Sequence, residues 1–362
     1  MTEELGYQPD RRRPGRAAQT NRPGRFEAHD RVRIDDGWTC DAGDLPPLRT
    51  QTSVEKPRRV ITRNTSPDIS FDRSINPYRG CEHGCIYCFA RPSHAWLGLS
   101  PGLDFETRLI ARPEAPKVLR RELAARNYVP APIAIGTNTD PYQPIEKEHR
   151  IMRGILTVLA EHNHPVTVVT KGSLIERDAD ILGEMGRKGL ARVGISMTTL
   201  DARLSRAMEP RAPAPARRLK TIEKLADMGC PVRVMVAPVV PALTDHELEA
   251  ILQAARDAGA TAANWIMLRL PLEVAPLFRE WLAETVPDRA ARVMGRVRDL
   301  QRGKDYDPDW GKRMTGKGPF ADLVAQRFAI ATRRLGLAQR VKPLRTDLFK
   351  VPPKAGDQLS LF

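Results

Sequence analysis

No uninterrupted apolar run of membrane-spanning length occurs in these 362 residues. The Arg-rich first thirty residues also lack an apolar segment of the secretory kind, so a cytoplasmic protein with no membrane partner is expected. Cysteine is scarce, five in all. Two of them, Cys40 and Cys230, stand alone, which excludes a disulfide framework and leaves no distant second pair to close a four-ligand zinc site. Acidic residues are outnumbered too: 58 Lys and Arg face 44 Asp and Glu, a net charge of +14 with pI near 9.9. Such a balance favours a polyanionic partner such as DNA, because a basic surface concentrates and steers phosphate-rich ligands. The competing reading is a chain rich in Arg and Ala throughout. Apolar residues are not lacking: at 41% they suffice for one large α/β core with additions.

The other three cysteines fall in one run, Asn76–Ala90, as Cys81, Cys85 and Cys88. Gly80 and Gly84 permit the tight, partly left-handed backbone such a loop needs. Three thiolates from a single loop suit an iron–sulfur cluster better than structural zinc, which is closed by four protein ligands. A four-iron cluster held by three cysteines leaves one iron without a protein ligand, an open position for chemistry.

This Cys-x3-Cys-x2-Cys run, with the aromatic Tyr87 just before the last cysteine, resembles the cluster loop of the radical S-adenosylmethionine (SAM) superfamily. The resemblance implies a [4Fe-4S] cluster whose open iron binds S-adenosylmethionine. It also implies an external electron donor such as flavodoxin or ferredoxin, and a 5′-deoxyadenosyl radical that abstracts hydrogen from substrate. Tyr87 is then expected to support the adenine side.

Downstream, short β-rich segments alternate with helical patterns. Strands are expected near Ser74–Pro77, Ile133–Gly136, Val166–Val169, Arg192–Ile195, Val232–Val236 and Ala263–Leu268, with helices over about 116–127, 146–161, 176–188, 214–228 and 244–257. Such alternation gives parallel strands with crossover helices. Six units are too few for a closed eight-stranded barrel, so a partial (β/α)6 TIM-type barrel is expected, as the resemblance also implies. The division expected is a flexible basic arm over 1–60, a core over 61–270, a helical extension over 271–340 (helices near 272–284, 288–301 and 320–334) and a tail over 341–362.

In parallel α/β folds the carboxyl ends of the strands carry the chemistry. Lys171 after the third strand reads as an anion clamp. Ser196 after the fourth, followed by Glu209 and Arg211, suits ribose and carboxylate contacts. Asn138, Asp140 and Tyr142 in the loop after the second strand are candidates for the cofactor's methionyl end or the substrate. Asp140 before Pro141 equally suits an Asx-turn. The loop 302–318 mixes Tyr306 and Trp310 with Lys and Arg, the composition of a base-stacking surface or of a lid.

The segments Ile75–Cys81, Tyr87–Ala90, Gly136–Pro144 and Val169–Lys171 together resemble the spore photoproduct lyase branch, which acts on a thymine lesion in DNA. That branch uses a cysteine near the end of strand two as hydrogen donor; here no cysteine lies between Cys88 and Cys230. The chain ends Gln358-Leu359-Ser360-Leu361-Phe362, similar to peptides that bind the DNA polymerase III sliding clamp. Leu359, Leu361 and Phe362 would be the apolar anchors and Gln358 the orienting group. The expected function is therefore radical chemistry on DNA with recruitment to the clamp. A peptide or other non-nucleic substrate, and an iron–sulfur DNA-binding module without radical chemistry, are the alternatives.

Overall fold

The computed structural model describes residues 15–27 and 48–352. Its main sheet is built from β2 (Thr62–Arg63), β3 (Arg73–Ile75), β6 (Ile133–Ile135), β7 (Val166–Thr170), β8 (Ala191–Met197), β9 (Val232–Val239) and β10 (Ala262–Met267), in the order β10-β9-β8-β7-β6-β3-β2. From β3 to β10 all neighbours are parallel, and β2 closes the β3 edge antiparallel. Six parallel strands in chain order are the expected partial barrel. A separate three-stranded sheet sets β5 (Arg108–Ala111) between β1 (Gln51–Val54) and β4 (Tyr78–Arg79).

Side chains alternate along each barrel strand, so every second residue points inward. Val166, Val168 and Thr170, Ala191, Val193 and Ile195, and Val232, Val234 and Val236 are buried. They belong to the face against the crossover helices Ile151–Glu161, Ala179–Arg187, Pro215–Asp227 and Leu248–Asp257, whose own buried residues (Ile155, Leu182, Leu225, Ile251) join the same core. The opposite residues face a hollow interior. Gly194 makes room for the Met235 thioether, since a Cβ there would meet Met235 Sδ at 2.8 Å.

Two helices differ from expectation. The helix over 146–161 is two, Glu146–His149 and Ile151–Glu161, because Arg150 takes a left-handed φ of 49°. The helix over 176–188 begins only at Ala179, after a 3-10 turn over Ser173–Asp178.

The arm over 1–60 is not loose where it is described. Arg16, Ala17 and Ala18 are buried. Arg16 Nη1 donates to the Glu106 carbonyl at 2.8 Å, and the amides of Ala17 and Ala18 donate to the Glu106 carboxylate at 3.3 and 3.0 Å. A few small residues and one Arg bonded to Glu106, Leu48 and Thr50 make a strap that composition does not disclose.

Beyond β10, helices Val274–Thr285 and Pro287–Leu300 share a second apolar core with Ile86, Tyr87, Met208 and Leu243, so they back the cysteine loop. The loop after them bridges the two edges of the barrel. Met314 O accepts from Met267 N at 2.8 Å, and Arg313 reaches Asp68 Oδ2 at 2.5 Å and Ser66 Oγ at 2.8 Å.

Among the described residues no helix is long and apolar enough to cross a membrane. His164, in the turn before β7, has Nδ1 on the Pro165 carbonyl at 3.0 Å and Nε2 on the Tyr128 hydroxyl at 2.6 Å. A carbonyl only accepts, so the neutral ring carries its proton on Nδ1. Burial pulls this imidazole from 6.5 down to about 4. A depressed His favours the fold above its unfolded value and loses that advantage on acidification. Unfolding free energy should fall by at most about 3 kcal/mol as pH drops from 6.5 to about 4. Denaturant titrations of His164→Gln should show a flatter slope over that range.

Candidate active site

Cys81, Cys85 and Cys88 line one cavity of about 550 Å³ together with the carboxyl ends of the barrel strands. Strand β4 leads directly into the cysteine loop, and Cys81 N donates to Phe105 O at 2.9 Å. The loop is held from behind by Arg91, fully buried, which donates to Cys85 O (2.9 Å), Gly84 O (3.0 Å), Pro101 O (3.1 Å), Gly102 O (3.0 Å) and Glu106 Oε1 (2.6 Å). Gly84 has φ +66°, and a Cβ on it would sit 2.7 Å from Glu106 Oε2. The sharp turn and the close approach of the carboxylate both need glycine there.

The three cysteines are free thiols, and burial raises each of them above the ordinary thiol range. Among the described residues, no group of three or more His, Cys, Asp or Glu side chains is arranged to hold a single metal ion.

Opposite the loop lies a charged cluster. Lys171 Nζ donates to Ser196 Oγ at 2.5 Å and stands 3.4 Å from Glu209 Oε1. Ser196 Oγ donates to Ala237 O at 2.9 Å. Glu209 itself is fully buried behind the cavity wall, where it accepts from Tyr87 Oη, Thr198 Oγ1 and Arg218 Nη2. Burial alone would raise its carboxyl, but the Arg218 and Lys171 charges outweigh that and hold it well below the usual carboxylate range. Burial and the Glu209 charge push the Tyr87 phenol up, so it stays a donor.

Tyr87, Asn138, Lys171 and Ser196 thus line the same cavity as the thiols. Glu209 acts on it only through Tyr87 and Lys171. Arg211 is elsewhere: its guanidinium pairs with Glu82 Oε1 at 2.8 Å and does not line the cavity. Its backbone amide donates to His83 O at 3.3 Å, so Arg211 sits against the cysteine loop from outside the cavity lining.

Asp140 forms the Asx-turn, accepting from Tyr142 N at 2.9 Å, and also takes Thr170 Oγ1 (2.5 Å) and Lys171 N (2.7 Å). It therefore fixes where Lys171 leaves its strand. His83 Nδ1 lies 3.2 Å from Asp140 Oδ2 but out of line for a hydrogen bond. Tyr142 is buried with its hydroxyl on Asp178 Oδ2 at 2.9 Å, a structural contact rather than a ligand contact.

Sequence reasoning missed Arg218, which closes the Glu209 network from a helix that reads as ordinary amphipathic surface. It also missed Arg269, packed 4.6 Å over the Phe89 ring at the rim, and residues 68–71 of the side wall. Cys230 packs at the amino end of β9, where burial pushes its thiol up to about 12.

Replacing Glu209 by Gln removes the counter-charge of the buried Arg218 guanidinium, whose other donors stay on Pro213 O and Ser196 O. It should cost about 3–5 kcal/mol in chemical denaturation, the range for breaking one side of a buried ion pair.

Comparison with known proteins places this geometry. Residues 75–255 match the Radical SAM superfamily. An uncharacterized protein of Mycobacterium tuberculosis is 35% identical over 291 residues, 79% of this chain and 82% of its own. One from Methanocaldococcus jannaschii is 24% identical over 173 residues, 48% of this chain and 62% of its own. In fold the chain is similar to spore photoproduct lyase complexed with dinucleoside spore photoproduct, with TM-score 0.58, 15% identity and coverage of 80% and 81%. A spore photoproduct lyase mutant with bound AdoMet and the same dinucleoside gives TM-score 0.57 at 14% identity over 80% of each chain. The superfamily uses a [4Fe-4S] cluster with S-adenosylmethionine and draws its electron from an outside reductant. On the matched span and the two-sided coverage of its relatives, this chain belongs to the radical SAM superfamily.

Proposed function

We propose that the cavity is the reaction chamber of an enzyme acting on DNA, with Cys81, Cys85 and Cys88 holding the cluster. One observation carries this reading: three free thiols from a single loop open into the same chamber as Lys171 and Ser196. The residues fit the group. Burial holds the thiols neutral even though the Lys171 and Arg218 charges act on Cys85, and a coordinating iron core is the kind of partner that keeps them as thiolates. When bound, the cluster and S-adenosylmethionine supply one-electron cleavage of a sulfonium and hydrogen-atom abstraction, which no side chain here offers.

The chain's own groups bind, orient and exclude water. Lys171 and Asn138 face the chamber as partners for the cofactor's carboxylate end, and Ser196 as a partner for its ribose. Glu209 does not touch the ligand; it fixes Tyr87 on the adenine side and sets the position of the Lys171 ammonium. The apolar helices behind Tyr87 keep solvent from that side.

A DNA lesion as substrate is supported by the charge of +14 and by a fold shared with an enzyme solved with a dinucleoside photoproduct. The hydrogen donor differs from a strand-two cysteine. Gly136 ends β6 with φ +88°, and a Cβ there would lie 2.0 Å from Val169 O, so no thiol fits at that position. The peptide Gln358–Phe362 lies outside the described residues. We read it as the tether to the sliding clamp, in the cytoplasm, with a flavodoxin or ferredoxin as reductant.

Anaerobically reconstituted and reduced protein should carry one four-iron cluster and release 5′-deoxyadenosine from S-adenosylmethionine. Cys85→Ala or Cys88→Ala should lose both iron and product. DNA affinity should fall steeply as salt rises, and a flat salt dependence would point to a substrate that is not nucleic acid. Changing Leu361 and Phe362 to Ala should abolish clamp binding in a pull-down and leave cofactor cleavage as it was.

A further inference from the structure

Parallel strands buried on both faces normally read as near-continuous apolar runs. Two positions of this barrel break that rule. Arg192 and Arg233 are the second residue of β8 and the second of β9, and both fall in the inward row that lines the cavity. Register brings them together: Arg233 pairs with Gly194, two residues past Arg192 on the same face, and with Ala262, two residues before Asn264. Three strand residues, four steps of about 3.3 Å, separate Arg192 from Ser196, so the Arg192 backbone lies about 13 Å below that strand end, and Arg233, level with Gly194, about half as far.

Neither arginine has an acidic partner among the described residues. Arg192 Nη2 donates to Lys342 O at 2.7 Å, and its strongest charged neighbour is Arg233, which repels it. Arg233 Nε is buried and makes no hydrogen bond, and the nearby Asn264 Oδ1 is likewise buried and unpaired. A buried guanidinium nitrogen left without an acceptor, as Arg233 Nε is, is costly, and a purely structural interior would place an apolar side chain there. A guanidinium pair with open donors is what a planar or tetrahedral oxyanion binds.

We propose that Arg192 and Arg233, with the Asn264 Nδ2 amide as a third donor, form an oxyanion-binding subsite on the floor of the chamber, which takes a phosphate or carboxylate group of the substrate. Its distance from Ser196 sets the spacing between that anion and the reacting carbon held at the strand ends. Gly194 stands level with Arg233, between Arg192 and Ser196, and the Met235 and Val169 side chains close against it. The subsite deepens the reading of the cavity as a reaction chamber and holds for a nucleic or a non-nucleic substrate.

The test is calorimetric binding to the full chain, purified anaerobically, with no added cofactor or reductant and with ionic strength held constant by chloride. Inorganic phosphate, the dinucleoside monophosphate TpT and acetate are the three probes, which separate a free phosphate, a phosphodiester and a carboxylate. At least one should bind saturably, and Arg233→Gln and Arg192→Gln should each weaken it about tenfold or more. Asn264→Asp, which sets a like charge in the subsite at unchanged size, should weaken it as well, and serves if an Arg variant fails to fold. Absence of saturable binding by all three probes overturns the proposal, as does undiminished binding in folded variants. Because no radical chemistry is involved, these results stand apart from those for 5′-deoxyadenosine.

Discussion

The ion pair between Arg91 and Glu106, with neither side chain exposed, is the contact on which the rest of the site depends. Burying two charges is expensive, and their mutual attraction repays it only when every remaining donor and acceptor is used. Here they are. Arg91 spends its other donors on four backbone carbonyls, two of them within the cysteine loop, while Glu106 takes the amides of Ala17 and Ala18. One carboxylate thus joins the strap, the Gly84 turn and the sulfur-bearing loop into a single rigid unit. The thiols are placed by backbone held at its carbonyls, rather than by packing of their own small side chains.

Around that unit the barrel divides its labour by face. The outward row is Val, Ile and Ala and packs on helices. The inward row is Thr167, Val169 and Lys171 on one strand, Arg192, Gly194 and Ser196 on the next, Arg233, Met235 and Ala237 on the third. At mid-height Gly194 gives room to Met235 and Val169, with Lys171 toward the strand ends and Arg192 and Arg233 toward the strand starts. Stability and chemistry are therefore encoded by alternate letters of the same strands. The buried Glu209 shows how the upper charges are tolerated, since Arg218 and Lys171 neutralise it and Tyr87 and Thr198 fill its acceptors.

The cysteine spacing and the six βα units were legible because both are local: eight consecutive residues, and a repeat of strand and helix periods. The small sheet of β1, β4 and β5 was not, because strands of two to four residues carry no period, and β1 meets β5 across more than fifty residues. The burial of Arg16 was equally hidden, since its partners at Glu106 and Thr50 are distant in sequence. Arg150 breaks a helix whose composition gives no warning. Lys171 and Ser196 follow from position at strand ends and both line the cavity, whereas Arg211, read from the loop beside Glu209, pairs with Glu82 outside the lining.

The bridge made by Met314, Arg313 and Asp68 has a mechanical consequence. Six strands alone form an open arc, yet this segment links its last strand to the stretch before its first across 245 residues. The arc is thereby turned into a bracelet with a clasp. What holds such a hoop shut is one ion pair and three hydrogen bonds, Gly311 N to Asp68 among them, rather than the stiffness of its staves.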